Sequence, residues 1–204
     1  MKRTTWIGIF LMLLASRASA QSLSIHELTT GTQPAGAAFA LNSAASPVGY
    51  AAVANRGGNS VSIFAQGAVG TNPSARVTLQ TTLTGISAPA GMAECNGGQA
   101  TSTPQFLATS PAANSVTLLN VTSALLTLPV GREPYSAACY LSPDRQLMAV
   151  VSNFAENTLS LIDVTRRTIV GSIADVPGSR SLSGIAVQGG RFAWVVGSDA
   201  NTVT

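Results

Sequence analysis

Charge is scarce in this sequence. Only 9% of its 204 residues are Asp, Glu, Lys or Arg, and there is one His, two Cys and a single lysine, Lys2. So few charges, with 46% apolar residues, exclude a charged disordered tail. They also disfavour a helix-rich protein, whose solvated faces carry many Lys and Glu. Three of the eleven basic residues, Lys2, Arg3 and Arg17, lie within residues 1–20, so eight remain downstream against eight acidic ones. A neutral chain lacks the basic stripe that releases phosphate counterions, so nucleic acid is not an expected partner. Anionic membrane surfaces are disfavoured on the same ground. No run of eighteen apolar residues follows residue 20, so membrane insertion is not expected once that segment is removed.

Metal and catalytic signatures are also lacking. One His cannot make a His-rich metal site, and there is no Cys-x-x-Cys pair. No Gly-x-Ser-x-Gly elbow and no Gly-rich phosphate loop before a helix is found. No catalytic residue, metal ligand or cofactor is therefore expected. His26 is read as a surface histidine. Trp194 alone is no docking set for a quinone, and is expected to pack between sheets. Cys95 and Cys139 would meet an oxidising compartment, where a bridge is chemically open to them.

The compartment follows from the N-terminus. Lys2 and Arg3 precede an apolar stretch from Trp6 to Ala15, and Ala18-Ser19-Ala20 is an A-x-A cleavage box. Residues 1–20 are read as a signal peptide cleaved after Ala20, which makes the protein secreted or periplasmic.

The chain then repeats. Asn59-Ser60-Val61, Asn114-Ser115-Val116, Asn157-Thr158-Leu159 and Asn201-Thr202-Val203 recur at spacings of 55, 43 and 44 residues. The longer first interval holds an insertion around residues 66–74. A second marker runs in phase: Gly31, Gly85, Gly131 and Gly178, followed by Pro34, Pro89 and Pro134, with Ser181 in the fourth copy. Each period reads as four short strands. The first is small and apolar (Ala37–Leu41, Gly91–Cys95, Ala137–Leu141, Gly184–Gln188). The second is almost wholly apolar and should be buried on both faces (Tyr50–Ala54, Gln105–Thr109, Leu147–Ser152, Phe192–Val196). The third alternates apolar with Ser or Thr, and the fourth spans 76–84, 124–129 and 168–175. The Asn before the third strand suits a tight reversal, because Asn tolerates left-handed backbone angles and can cap its own turn.

A four-stranded period near 44 residues predicts an all-β fold, a β-propeller of antiparallel blades with about four repeats. The expected blades are 31–84, 85–130 and 131–177, with a partial blade at 178–204. Leu23–Thr30 (23–30) resembles a fourth strand without the preceding three, as in a ring-closing strand. A ring of six or seven such blades needs roughly 260–310 residues, so the ring is expected to be incomplete and the sequence to be the N-terminal part of a longer propeller. The alternative is a ring of four.

Val151-Ser152-Asn153, Asn157-Thr158-Leu159-Ser160-Leu161-Ile162-Asp163, the turn Ser142-Pro143-Asp144 and the entry Gly131-Arg132-Glu133-Pro134 resemble YVTN-type propeller repeats. The third repeat is close and the others degenerate. Arg145 stands where that family has Gly. The resemblance implies a secreted propeller whose ligands bind at one mouth of the central channel.

On that topology, the loops between strands two and three share a face with the loops that enter each blade. The face collects Arg56, Arg132, Glu133, Phe154, Glu156, Arg180 and Asp199 as candidate ligand-binding residues. Asp144, Arg145, Arg166 and Arg167 gather on the other. Cys95 and Cys139 fall on neighbouring inner strands, one residue out of register, at an expected separation beyond the roughly 7 Å that a disulfide spans. They are therefore expected to be small buried hydrophobes. The function expected is non-catalytic binding or scaffolding of a protein, glycan or surface polymer. The alternative is a lactonase-like or quinoprotein-like enzyme whose site further blades complete.

Overall fold

The computed structural model describes residues 9–10, 26–27, 29–43, 49–67, 77–97, 99–101, 103–176 and 179–204. The cleavage box, most of the proposed closing strand, residues 68–74 of the insertion, Gly178 and the His26 side chain lie outside them. Strands are numbered in chain order. β1 (Ile9–Phe10) pairs antiparallel with β2 (His26–Glu27). The other strands form four antiparallel sheets, each in sequential order. These are β3 (Pro34–Leu41), β4 (Gly49–Asn55), β5 (Ser60–Gln66) and β6 (Val77–Thr84); β7 (Met92–Glu94), β8 (Gln105–Ser110), β9 (Ser115–Asn120) and β10 (Ala124–Pro129); β11 (Pro134–Leu141), β12 (Leu147–Asn153), β13 (Thr158–Asp163) and β14 (Thr168–Ile173); and β15 (Leu182–Gln188), β16 (Phe192–Gly197) and β17 (Thr202–Val203). We call them blades 1 to 4. Each sheet takes its strands in sequence order, and no helix among the described residues is long and apolar enough to cross a membrane.

Alternation along the strands gives every blade two apolar faces, and the blades stack on them. Tyr50, Ala52, Val61 and Ile63 of blade 1 meet Phe106, Ala108 and Leu119 of blade 2. Leu107, Val116 and Leu118 on the other side of blade 2 meet Ala149, Val151 and Ile162 of blade 3. Val150 and Leu159 of blade 3 meet Leu182 and Val195 of blade 4. The innermost strands are small because they crowd. A Cβ on Gly36 would strike the Ala90 carbonyl, and one on Gly91 would strike that of Tyr135.

The two cysteines correct the sequence reading: Cys95 and Cys139 form a disulfide, with Cα atoms 5.0 Å apart. The one-residue offset is the reason. Successive side chains of a strand point to opposite faces. Two cysteines at the same register position of neighbouring blades would point the same way round the stack and never meet. The offset turns Cys95 forward and Cys139 backward, into one seam. The chain leaves β7 after three residues, where the other inner strands run for seven or eight, and the disulfide ties that short strand to β11.

The repeated Asn also does more than expected. Asn59, Asn114, Asn157 and Asn201 are all left-handed, at φ 47°, 49°, 54° and 54°. The first three do not cap their own turns with their side chains. Their Oδ1 atoms accept backbone N–H groups from the entry loop of the next blade, at Ala88 (2.8 Å), Glu133 (3.0 Å) and Ser181 (2.6 Å). Their carbonyls accept from Ile86, Val130 and Val176. The marker therefore clasps consecutive blades.

Trp194 departs from expectation. It lies on the face of blade 4 turned away from blade 3 and is 52% exposed, beside exposed Phe192, Val196 and Val203.

Candidate functional site

In blades 1, 3 and 4 the loop face is built by hydrogen bonds between two backbone segments of the same blade. In blade 1, Arg56 N–H and Gly57 N–H donate to the Gln33 and Thr32 carbonyls. In blade 3, Phe154 N–H and Ala155 N–H donate to those of Glu133 (3.0 Å) and Arg132 (3.3 Å). In blade 4, Ser198 N–H donates to Ser181. This pairing brings the hairpin between the second and third strands against the entry loop of the same blade.

Four of the seven sequence-derived candidates, Arg132, Glu133, Phe154 and Glu156, therefore meet at one corner of blade 3. Arg56 stands two blades away. Arg180 and Asp199 belong to blade 4, where the Asp199 carboxylate accepts the Ser181 hydroxyl. The candidates form one local cluster with outliers rather than a ring.

Sequence reasoning missed Tyr135. The pairing of β11 with β12 slips between Pro134 and Ser136, so Tyr135 is the extra residue of a β-bulge. A bulge re-aims a side chain. The Tyr135 carbonyl is fixed by the Thr109 hydroxyl of blade 2 (3.1 Å), and the side chain is 51% exposed. Its ring centroid lies 5.8 Å from that of Phe154, with the planes inclined by 35°. Strand pairing puts Leu182, not Ser181, at the entry position of blade 4, so the residues after the four entry positions are Ala35, Ala90, Tyr135 and Ser183, and only the third is bulky.

Beneath this pair runs a buried polar network. Asn153 Nδ2 donates to the Thr158 and Ser160 hydroxyls, both at 2.9 Å. Asn55 does the same in blade 1 with Ser60 (3.3 Å) and Ser62 (2.9 Å). The acceptor sides differ. Asn55 Oδ1 accepts Gly31 N–H at 3.0 Å. Gly131 N–H turns to Ser160 Oγ at 3.4 Å, and Asn153 Oδ1 has no partner. A Cβ at Gly131 would collide with the Asn153 amide and lie 2.7 Å from Glu156 Oε2. Glycine there leaves room for both groups.

The opposite face contains a separate electrostatic feature. Asp163 is 3% exposed and takes the Arg166 backbone N–H (2.8 Å) and guanidinium (2.7 Å). The Arg166 backbone hydrogen bond, then its side-chain bond, hold the Asp163 carboxyl below its ordinary range. Arg145 and Arg167 adopt left-handed angles, φ 61° and 59°, a backbone region that glycine enters without strain. In the seam with blade 4, burial pushes the Tyr140 hydroxyl up. Among the described residues, no three His, Cys, Asp or Glu side chains gather to hold a metal.

No family model matches the chain, and no curated protein sequence matches it. Solved structures do. Hydrazine synthase of Kuenenia stuttgartiensis is similar over 82% of this chain and 44% of its own, at 16% identity and a TM-score of 0.59. A putative 6-phosphogluconolactonase from Bacteroides uniformis is similar over 87% of this chain and 54% of its own, at 12% identity and 0.59. BBS1N, solved in complex with ARL6DN, is similar over 87% and 53%, at 13% and 0.57. The chain thus spans about half the length of these structures. With the sequential four-stranded antiparallel sheets, they show that the chain has the β-propeller fold.

Proposed function

We propose that this chain is a secreted, non-catalytic binding or scaffold propeller of the YVTN type, with the loop face of blade 3 as the centre of its binding surface. The carrying observation is the corner where Arg132, Glu133, Tyr135, Phe154 and Glu156 meet. It combines exposed aromatic area with both signs of charge, the makeup of a recognition surface on a rigid scaffold. The leader sequence at residues 1–20 supports export, and a protein, glycan or surface polymer outside the cell is the corresponding class of partner.

The test is retention on the envelope of the cells that secrete the protein. The secreted form should begin at Gln21 by N-terminal sequencing. Double reversal of the corner (Arg132→Glu with Glu156→Lys) should release it from the envelope fraction, whereas Arg167→Glu on the opposite face should not. Equal retention of both variants overturns the assignment of the surface. One structural neighbour is a putative 6-phosphogluconolactonase. Turnover of that sugar lactone by this protein, abolished by loop-face substitutions, would overturn the non-catalytic reading in favour of an enzyme.

A further inference from the structure

Resting on the reading of the loop face as a binding surface, we propose that the blade 3 corner is a carbohydrate subsite that seats one pyranose ring of a glycan against Tyr135. A pyranose has an apolar C–H face and a rim of hydroxyls that both donate and accept. A matching site needs an exposed ring with acceptors and a donor beside it. Tyr135 supplies the ring. The bulge sets its direction, the Thr109 hydroxyl holds its backbone, and Phe154 backs it at 5.8 Å.

The acceptors are Glu156 and Asn153. Asn153 is 1% exposed, and its Oδ1 has no partner, a costly state for a buried amide. Blade 1 shows that the fold can fill this position from within, through Gly31 N–H. Blade 3 leaves it open, and the Glu156 carboxylate lies over the same glycine. Glu156 is exposed and its carboxylate can turn toward a sugar hydroxyl, while Asn153, paired with Pro134 beside Tyr135, holds the second acceptor. Arg132 and Glu133, on the loop paired with this hairpin, provide the donor and a further acceptor.

The alternatives fit less well. An anionic ligand would face two carboxylates for one guanidinium. An organic cation would need rings far enough apart to enclose it, and these two already touch. No other blade repeats the set: the residues matching Tyr135 are Ala35, Ala90 and Ser183, and those matching Glu156 are Gly58, Ala113 and Ala200. The subsite therefore reads one ring, and binding to a polymer gains strength from its repetition.

The experiment is saturation-transfer NMR on the full chain with three hexasaccharides, of β-1,4-linked N-acetylglucosamine, β-1,4-linked glucose and α-1,6-linked mannose, at about 5 mM to register weak binding. The expected result is transfer to the ring C–H protons of at least one of them. Tyr135→Ala and Phe154→Ala should each weaken it about tenfold or more, and Glu156→Gln a few-fold, consistent with losing one contact. Trp194→Ser, which removes an exposed aromatic elsewhere, should leave it unchanged. Unaltered thermal midpoints confirm folding, as expected for side chains outside the core clusters. Transfer to no hexasaccharide, or transfer that survives Tyr135→Ala and Phe154→Ala, overturns the proposal. If envelope retention is lost in the Arg132→Glu/Glu156→Lys variant while no hexasaccharide binds, the loop face still binds a partner and only the carbohydrate assignment falls. If neither is seen, both fall.

Discussion

Blades 3 and 4 carry the same strand pattern and live in different surroundings. The second strand of blade 3, β12, is buried on both faces, because blade 2 covers one and blade 4 the other. Its counterpart β16 is as apolar, yet Phe192, Ala193, Trp194 and Val196 are exposed. Of this strand, Val195 alone enters a described core cluster. The comparison shows that apolar pattern specifies a blade's capacity to be covered, and a neighbour decides whether the burial occurs. Hydrogen bonding follows the same rule. Asn157 holds the entry of blade 4 through Ser181 N–H, while Asn201, in the same left-handed conformation, holds no described residue.

The contrast can be broken most strongly at the seams. Leu107→Ala, in the seam between blades 2 and 3, should cost about 2–5 kcal/mol of unfolding free energy in urea, because it leaves a cavity in a filled core. Trp194→Ser, at an exposed side chain, should cost no more than about 0.5 kcal/mol. Equal losses at the two sites would mean that the outer face of blade 4 is covered in solution. Next is the disulfide. Replacing both Cys95 and Cys139 by Ser should cost about 2–4 kcal/mol, through release of a closed loop in the unfolded chain. The clasp is smaller. Asn114→Gly keeps the left-handed backbone and removes the acceptor for Glu133 N–H, for a loss of about 1 kcal/mol. Asn201→Gly should be neutral, and a loss equal to that of Asn114→Gly would refute the clasp. The smallest effect concerns pH. The carboxyl of Asp163 is depressed by Arg166, so its contribution is present above the unfolded carboxyl's ordinary value and fades as pH falls through the lower folded value. Acid titration of unfolding should therefore show a shallower decline for Asp163→Asn.

The fold was legible because period and alternation are local, repeated signals. Asn recurring at four positions, apolar second strands and alternating third strands each mark a position that every blade needs. The disulfide was misjudged because separation was weighed without direction: a one-residue offset inverts a side chain, and that inversion made the bond. Trp194 was misjudged because an apolar pattern marks a strand but not which of its side chains a neighbouring sheet covers. The candidate cluster was half legible. Arg132, Glu133, Phe154 and Glu156 share a loop pair that topology predicts. Tyr135 is placed in a strand by its sequence and joins the site only through the bulge. Arg56 shares the face but sits two blades away, a distance that loop assignment alone does not resolve.

The covalent link has a consequence for damage. Its cysteines are 44 residues apart, close to one repeat, so the chain between them makes a closed circuit through the last three strands of one blade and the first strand of the next. A protease that cuts any loop in 96–138 would separate no fragment while the bond holds. A nicked molecule would migrate as intact without reductant and as two pieces with it, and its blades could remain seated on one another after the backbone had been cut.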